Sequence, residues 1–265
     1  MKNRKILSTL LAFMLLSQVF TGCTPQNDTG VKEPTNDQKV IEPIDDQNAN
    51  EPNAQKKEVY RNPTVSSAEE AITLLKEGNT RFVNNELANY DLGQTRRSEL
   101  TEGQSPFAVV VACSDSRVVP EHLFDQGLGD LFIIRVAGNI LDDAEIGSIE
   151  YGVDHLGSPL VVILGHESCG AVTAAVEKAE NPTGTHTTEN IDEFLDNIEP
   201  AVAKAKEANL EGKELVDKAV DLNVEFAIAQ LLDESSIVKD GVNAGKLKVI
   251  GAKYLLSNGN VEWFE

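Results

Sequence analysis

The chain has 265 residues, enough for one large α/β domain or two small ones. Hydrophobic residues make up 41% and charged residues 25%, an ordinary balance for a globular protein. With 43 acidic against 23 basic residues the formal net charge is −20, which argues against surface-driven binding of nucleic acid or anionic lipid, since both would be repelled.

The chain begins as an export signal does. Lys2, Arg4 and Lys5 precede an apolar run over residues 6 to 20, ILSTLLAFMLLSQVF, which is short and basic on one flank. The run ends in FTGC, which resembles the lipobox of bacterial lipoproteins, although Phe20 stands where Leu is commoner. That resemblance implies a signal peptide over residues 1 to 23 and lipidation at Cys23. The mature protein would then be exported and held on the extracytoplasmic face of a membrane only through its lipid anchor. A plain secretory signal cleaved nearby is the alternative. Residues 24 to 60 are rich in Asn, Asp, Gln, Glu, Pro and Thr and nearly devoid of large apolar residues. Such a segment buries too little surface to offset its ordering entropy, so a disordered polar linker is expected.

The folded domain is expected over residues 61 to 265. Ser66 and Ser67 each have a Glu three residues on, which predicts overlapping capping boxes before a helix over residues 68 to 87. A polar loop then runs through Gly103. Three apolar runs follow: FAVVVAC (107 to 113), DLFIIRVAG (130 to 138) and PLVVILGH (159 to 166). They are short, β-branched and not alternating, as strands buried on both faces of a parallel sheet are. A helix ending at Gly157 separates the second run from the third, and another, CGAVTAAVEKAE, follows the third. Residues 180 to 190 read as a loop, 191 to 208 and 214 to 234 as helices, and KLKVIGAKYLL with NVEWFE as a closing strand and short hairpin. This order predicts a single α/β domain with a mostly parallel central β-sheet flanked by helices.

Cys113 ends the first apolar run, His166 ends the third, and Cys169 opens the following helix. Sites in open parallel sheets form at the carboxyl ends of the strands, so the topology brings these three residues to one edge. Two thiolates and an imidazole suit zinc and leave a fourth position open, as catalytic zinc sites do. Cys169 at a helix N-terminus also favours the thiolate form. Residue types and spacing leave two other readings open: a Cys113–Cys169 disulfide, common in exported proteins, and inert buried cysteines. Asp115 and Arg117 follow Cys113 closely, which points to a charge-assisted pair beside the site rather than a surface ion pair.

At these residues the chain resembles the β-class carbonic anhydrases. CSDSRVVPE, GDLFIIRVAGN, SIEYGVDHLG and VVILGHESCGAV all look like that family's segments, in its order, and GNTRFV and GQSP look like its upstream elements. The resemblance spans roughly residues 66 to 265 and is weakest between 180 and 215. It implies one Zn2+ per chain on Cys113, His166 and Cys169, and reversible hydration of carbon dioxide to bicarbonate and a proton by a zinc-bound hydroxide. Asp115 is implied as acceptor of that hydroxide's hydrogen bond, or as a fourth ligand in the family's closed form. Arg117 is implied to hold Asp115 off the metal. Gln104, Phe132, Tyr151 and the N–H of Gly170 are implied as substrate-binding groups. A homodimer or higher even oligomer is implied, because the family's pocket lies at a dimer interface. KYLLSNG departs from the Tyr-Asp that many members carry there, which bears on oligomer details.

His155 is expected at a surface or interface; for Glu167 a structural place is favoured over the pocket rim; His122 and His186 stay unassigned. Three rival readings remain: a hydrolase of carbon disulfide or carbonyl sulfide on the same ligand set, a non-catalytic metal-binding lipoprotein, and a redox protein using the cysteine pair.

Overall fold

The computed structural model describes residues 58–183 and 188–264. The signal peptide, Cys23, nearly all of the linker and His186 lie outside the described residues. Among those described, no helix is long and apolar enough to cross a membrane.

The elements in chain order are α1 (Ala68–Asn84), α2 (Gln94–Glu99), β1 (Ala108–Cys113), α3 (Pro120–Leu123), β2 (Leu131–Val136), α4 (Asp143–Glu150), β3 (Leu160–His166), α5 (Gly170–Glu180), α6 (Glu189–Lys206), α7 (Gly212–Glu234), α8 (Ser236–Asn243), β4 (Lys248–Tyr254) and β5 (Val261–Trp263). The sheet order is β2-β1-β3-β4-β5. Four strands are parallel, and β5 pairs antiparallel with β4. The expected α/β architecture is therefore the observed one.

The continuous apolar runs identify the central strands because β1 and β3 are buried on both faces. Ala108, Val110 and Ala112 face Leu74 and Leu75 of α1, while Val109 and Val111 face Ile149 of α4 and Val224 and Leu231 of α7. Fully burying each large apolar side chain here stabilises the fold by about 1.5–3 kcal/mol. A third apolar cluster, built from α5, α6 and the start of α7, closes over Cys113 and Cys169 at the carboxyl edge.

Local signals set the helix ends. Ser67 caps α1 by accepting from the Glu70 N–H at 3.2 Å, and the Glu70 carboxylate accepts from Ser66 N–H at 2.7 Å. The two capping boxes thus collapse into one cap, with Glu70 reaching one residue further back. Asn85 takes φ 57, and α1 stops at Asn84 rather than running to residue 87. The helix expected to end at Gly157 changes character at Tyr151. Residues Tyr151–His155 form a π turn, and Gly157 takes φ 72. Gly152 packs so closely there that a Cβ would lie 2.5 Å from Val109 Cγ2. The polar loop before Gly103 contains α2, and α3 and α8 are further short helices outside the expected elements.

Candidate metal centre

Parallel pairing aligns the ends of β1 and β3. Ala112 is opposite Leu164, so Cys113 and His166 leave the sheet at the same edge. Two residues later the chain turns through Ser168 at φ 55, and Cys169 enters α5 as its N-cap. The Sγ atoms of Cys113 and Cys169 stand 4.0 Å apart. One ligand atom from each of Cys113, His166 and Cys169 lies within 4.8 Å of the others, and all three residues are buried.

The imidazole is oriented for one role. His166 Nδ1 lies 3.0 Å from the Glu167 carbonyl, so Nδ1 carries the proton and donates. That leaves Nε2 as the lone-pair nitrogen. It is buried without a hydrogen-bond partner, an arrangement that costs free energy unless something binds it. A histidine that donates one N–H to a carbonyl and presents the other nitrogen to two thiols is set up as a metal ligand.

The thiols are polarised in opposite directions. Cys113 is held far below the ordinary thiol range, first by a hydrogen bond from Cys169 and then by the backbone N–H groups of Gly138 and Asp115. Those two amides lie 3.3 and 3.4 Å from Cys113 Sγ. Cys169 is pushed up, first by its hydrogen bond to Cys113 and then by burial. Without a metal the pair therefore shares one proton. Cys113 and Cys169 would hold a divalent cation as two thiolates, giving up that proton and balancing the cation's charge. This donor set, soft sulfur with one imidazole, suits zinc.

Beside the cluster, Arg117 grips Asp115 bidentately, Nε to Oδ1 at 2.9 Å and a terminal nitrogen to Oδ2 at 2.7 Å. The Arg117 backbone N–H also donates to Oδ1 at 2.9 Å. These bonds hold the Asp115 carboxyl well below the usual carboxylate range. Asp115 is not among the clustered ligand atoms, because its oxygens point to Arg117. Arg135 of β2 braces the same loop, donating to the carbonyls of Cys113 at 3.1 Å and Asp115 at 2.6 Å.

The other expected site residues divide. Gly170 follows Cys169 directly, in the first turn of α5, and no heavy atom lies within 4 Å of where its Cβ would stand. Gln104, Phe132 and Tyr151 are not brought to the cluster by this chain. Gln104 is exposed near Leu100 and Gly129, before the amino end of β1. Phe132 pairs with Val109, four positions before the rung that joins Cys113 to Val136. At about 3.3 Å per residue that is about 13 Å along the strand. Tyr151 packs tilted against Phe132, with ring centroids 6.1 Å apart, and stacks on His155 at 5.0 Å. Tyr151 is 48% exposed, so this aromatic group faces outward beside the edge strand β2. Glu167 is a staple rather than a rim residue: its carboxylate accepts from Ser257 N–H at 3.1 Å and Lys213 at 3.3 Å.

Sequence reasoning missed Gly138, Arg135 and Asn223, all of which act on the Cys113 loop. Two positions of VAGN carried a signal, since Gly before Asn often marks left-handed backbone; φ is 72 at Gly138 and 46 at Asn139.

Residues 108–261 match the family described as carbonic anhydrase. The chain belongs to that family. A carbonic anhydrase of Mycolicibacterium smegmatis is 41% identical over 191 residues, covering 71% of this chain and 89% of that protein. The structure of the beta-carbonic anhydrase CcaA matches with a TM-score of 0.60 at 25% identity, covering 74% of this chain and 95% of that one. One of two structures described as tetrameric beta-carbonic anhydrases from Sordaria macrospora matches with a TM-score of 0.56 at 26% identity, covering 63% and 85%. The parallel sheet, the Cys-His-Cys cluster and these matches place the chain in the β class of carbonic anhydrases. Its reaction is the zinc-dependent, reversible hydration of carbon dioxide to bicarbonate and a proton.

Proposed function

We propose that this carbonic anhydrase works with Cys113, His166 and Cys169 as its zinc ligands and the Asp115–Arg117 pair as the polar wall of its active site. The observation that carries this reading is the buried, partnerless Nε2 of His166 facing two thiols. Zinc held there supplies a Lewis acid that makes a nucleophile from water near neutral pH. The chain's own residues do the rest. Asp115, kept ionised by Arg117, presents an acceptor that orients a donor beside the cluster. Arg117 keeps that carboxylate from turning onto the metal. The Gly170 N–H, next to Cys169, is a donor for an oxygen of carbon dioxide or bicarbonate. His166→Ala tests the ligand set: zinc per chain and hydration rate should fall together. Full zinc content in that variant would count against it.

A second copy of the chain completes the pocket in this reading. Phe132 and Tyr151 lie outward on β2 and its flanking π turn, remote from their own chain's cluster. Half-buried Ile133, Ile134 and Val136 extend the same edge. A homodimer packed along this edge carries Gln104, Phe132 and Tyr151 toward the other chain's cluster, and a higher even oligomer builds on that dimer. Sedimentation velocity tests this, with a dimer or tetramer expected and a monomer at micromolar concentration contradicting it.

We further propose that the enzyme is an exported lipoprotein, anchored through Cys23 and spaced from the membrane by residues 24 to 60. The basic-apolar-FTGC pattern supports this. Incorporation of labelled palmitate into the full chain, lost in Cys23→Ser, is the expected result. Equal labelling of both would contradict it.

A further inference from the structure

We propose that Asn223 is a positioning residue for the zinc ligand Cys113, acting through the Gly138 peptide. The proposal rests on the zinc reading above and goes beyond it, since Asn223 touches neither metal ligand nor substrate.

The chain of contacts begins at the sulfur. Gly138 N–H donates to Cys113 Sγ at 3.3 Å inside the protein. To aim that N–H, the backbone adopts φ 72 at Gly138 and φ 46 at Asn139. Successive left-handed residues carry a conformational cost and persist only where the surroundings hold them. The space also selects the residue. A Cβ at position 138 would stand 2.8 Å from Ile198 Cδ1 and 3.1 Å from Ala171 Cβ.

Asn223 supplies the hold. Its Nδ2 donates to the Gly138 carbonyl at 2.8 Å, across 85 residues of sequence and with both groups buried. Asn223 is 4% exposed, and it is the one polar residue among the buried residues of α7, which are otherwise Leu, Ala and Val. Burying an amide is unfavourable unless it is hydrogen-bonded, and packing α7 on the sheet does not require one. The amide therefore reads as present for the Gly138 carbonyl. With the carbonyl pinned, the N–H on the other side of the same α-carbon stays on the sulfur. An N–H donor to a ligating thiolate draws off electron density and sets how strongly that sulfur binds and donates to the metal.

The test uses the full chain loaded with Co2+, whose thiolate charge-transfer absorption reports the sulfur directly. In Asn223→Ala, and in Asn223→Ser as a milder variant, Co2+ affinity should fall about 10- to 100-fold. The charge-transfer band should move to longer wavelength as the sulfur lone pair rises. A purely structural role would lower the melting temperature and leave band and affinity unmoved, and that result would overturn the proposal. Wild-type protein lacking the band altogether would instead remove the zinc reading. A second measurement needs no variant. In wild-type protein loaded with spin-active cadmium, the Gly138 amide proton should show scalar coupling to the metal across the N–H···S bond. Absence of that coupling in an otherwise resolved spectrum would also overturn the proposal.

Discussion

Arg117 holds both carboxylate oxygens of Asp115, at 2.9 Å to Oδ1 and 2.7 Å to Oδ2, and Asp115 stands two residues after Cys113 of the Cys-His-Cys cluster. Side-chain exposure of 55% for Arg117 limits what this pair adds to stability, so its effect belongs to the site. Arg117→Ala should lower the hydration rate about 10- to 100-fold. Arg117→Lys should recover little, because an ammonium restores the charge and not the fork. Stopped-flow hydration rates decide this, and near wild-type activity in Arg117→Ala would contradict the role.

The same pair gives a pH expectation. The Asp115 carboxyl is depressed from its ordinary value of 3.8, chiefly by the Arg117 side chain. A depressed carboxyl contributes stability that is present above its unfolded value and lost as pH falls through the folded one. Between neutral and alkaline pH, Asp115 therefore stays ionised and contributes no break to the pH–rate profile. In Arg117→Ala the carboxyl returns toward its ordinary range, and its ionisation, followed by NMR, should move up accordingly. An unmoved titration would contradict the assignment of cause.

Zinc uptake should release protons from the thiol pair. With Cys113 ionised and Cys169 protonated in the metal-free state, binding expels about one thiol proton per site. Calorimetry at mildly acidic pH in buffers of different ionisation enthalpy measures this. Release of none, or of two from the thiols, would contradict the shared-proton arrangement.

Gly78 on α1 tests the packing that supports the sheet's other face. A Cβ there would fall 1.7 Å from the Phe124 carbonyl oxygen, a backbone atom that cannot swing away. Gly78→Ala should destabilise the fold by about 3 kcal/mol, at the upper end of overpacking costs. Chemical denaturation measures it, and a loss under about 1 kcal/mol would show that α1 slides off easily.

Tyr151 tests the second copy. It is 48% exposed and stacked on His155 beside β2. Tyr151→Arg should separate the chains and lower kcat/KM together, read by sedimentation and stopped flow. An intact dimer with unchanged kcat/KM would contradict the shared pocket.

What could be read in advance follows from burial. β1 and β3 are buried on both faces, so their residues are continuously apolar and stop abruptly where Cys113 and His166 reach the carboxyl edge. The convergence of Cys113, His166 and Cys169 was legible for that reason. The fold around it was legible because a β-α-β order allows few topologies. Short α2 has no buried residue to set a period, and α8, though amphipathic, is only eight residues long and buries only Val238, too little to stand out from the long helix before it. The π turn at Tyr151–His155 keeps a helical pattern, and its hydrogen-bond shift leaves no separate mark in composition. Asn223 looks like any polar residue in a helix until its amide is seen on a carbonyl 85 residues away. Gln104, Phe132 and Tyr151 are expected at the site by resemblance only, since nothing among the described residues brings them to the cysteines.

The most direct measurement is zinc content and stopped-flow carbon dioxide hydration on the same preparation of the full chain, beside Cys113→Ser. One zinc per chain with fast hydration, both lost in the variant, is the expected result. Fast hydration that persists in zinc-free Cys113→Ser would contradict the account.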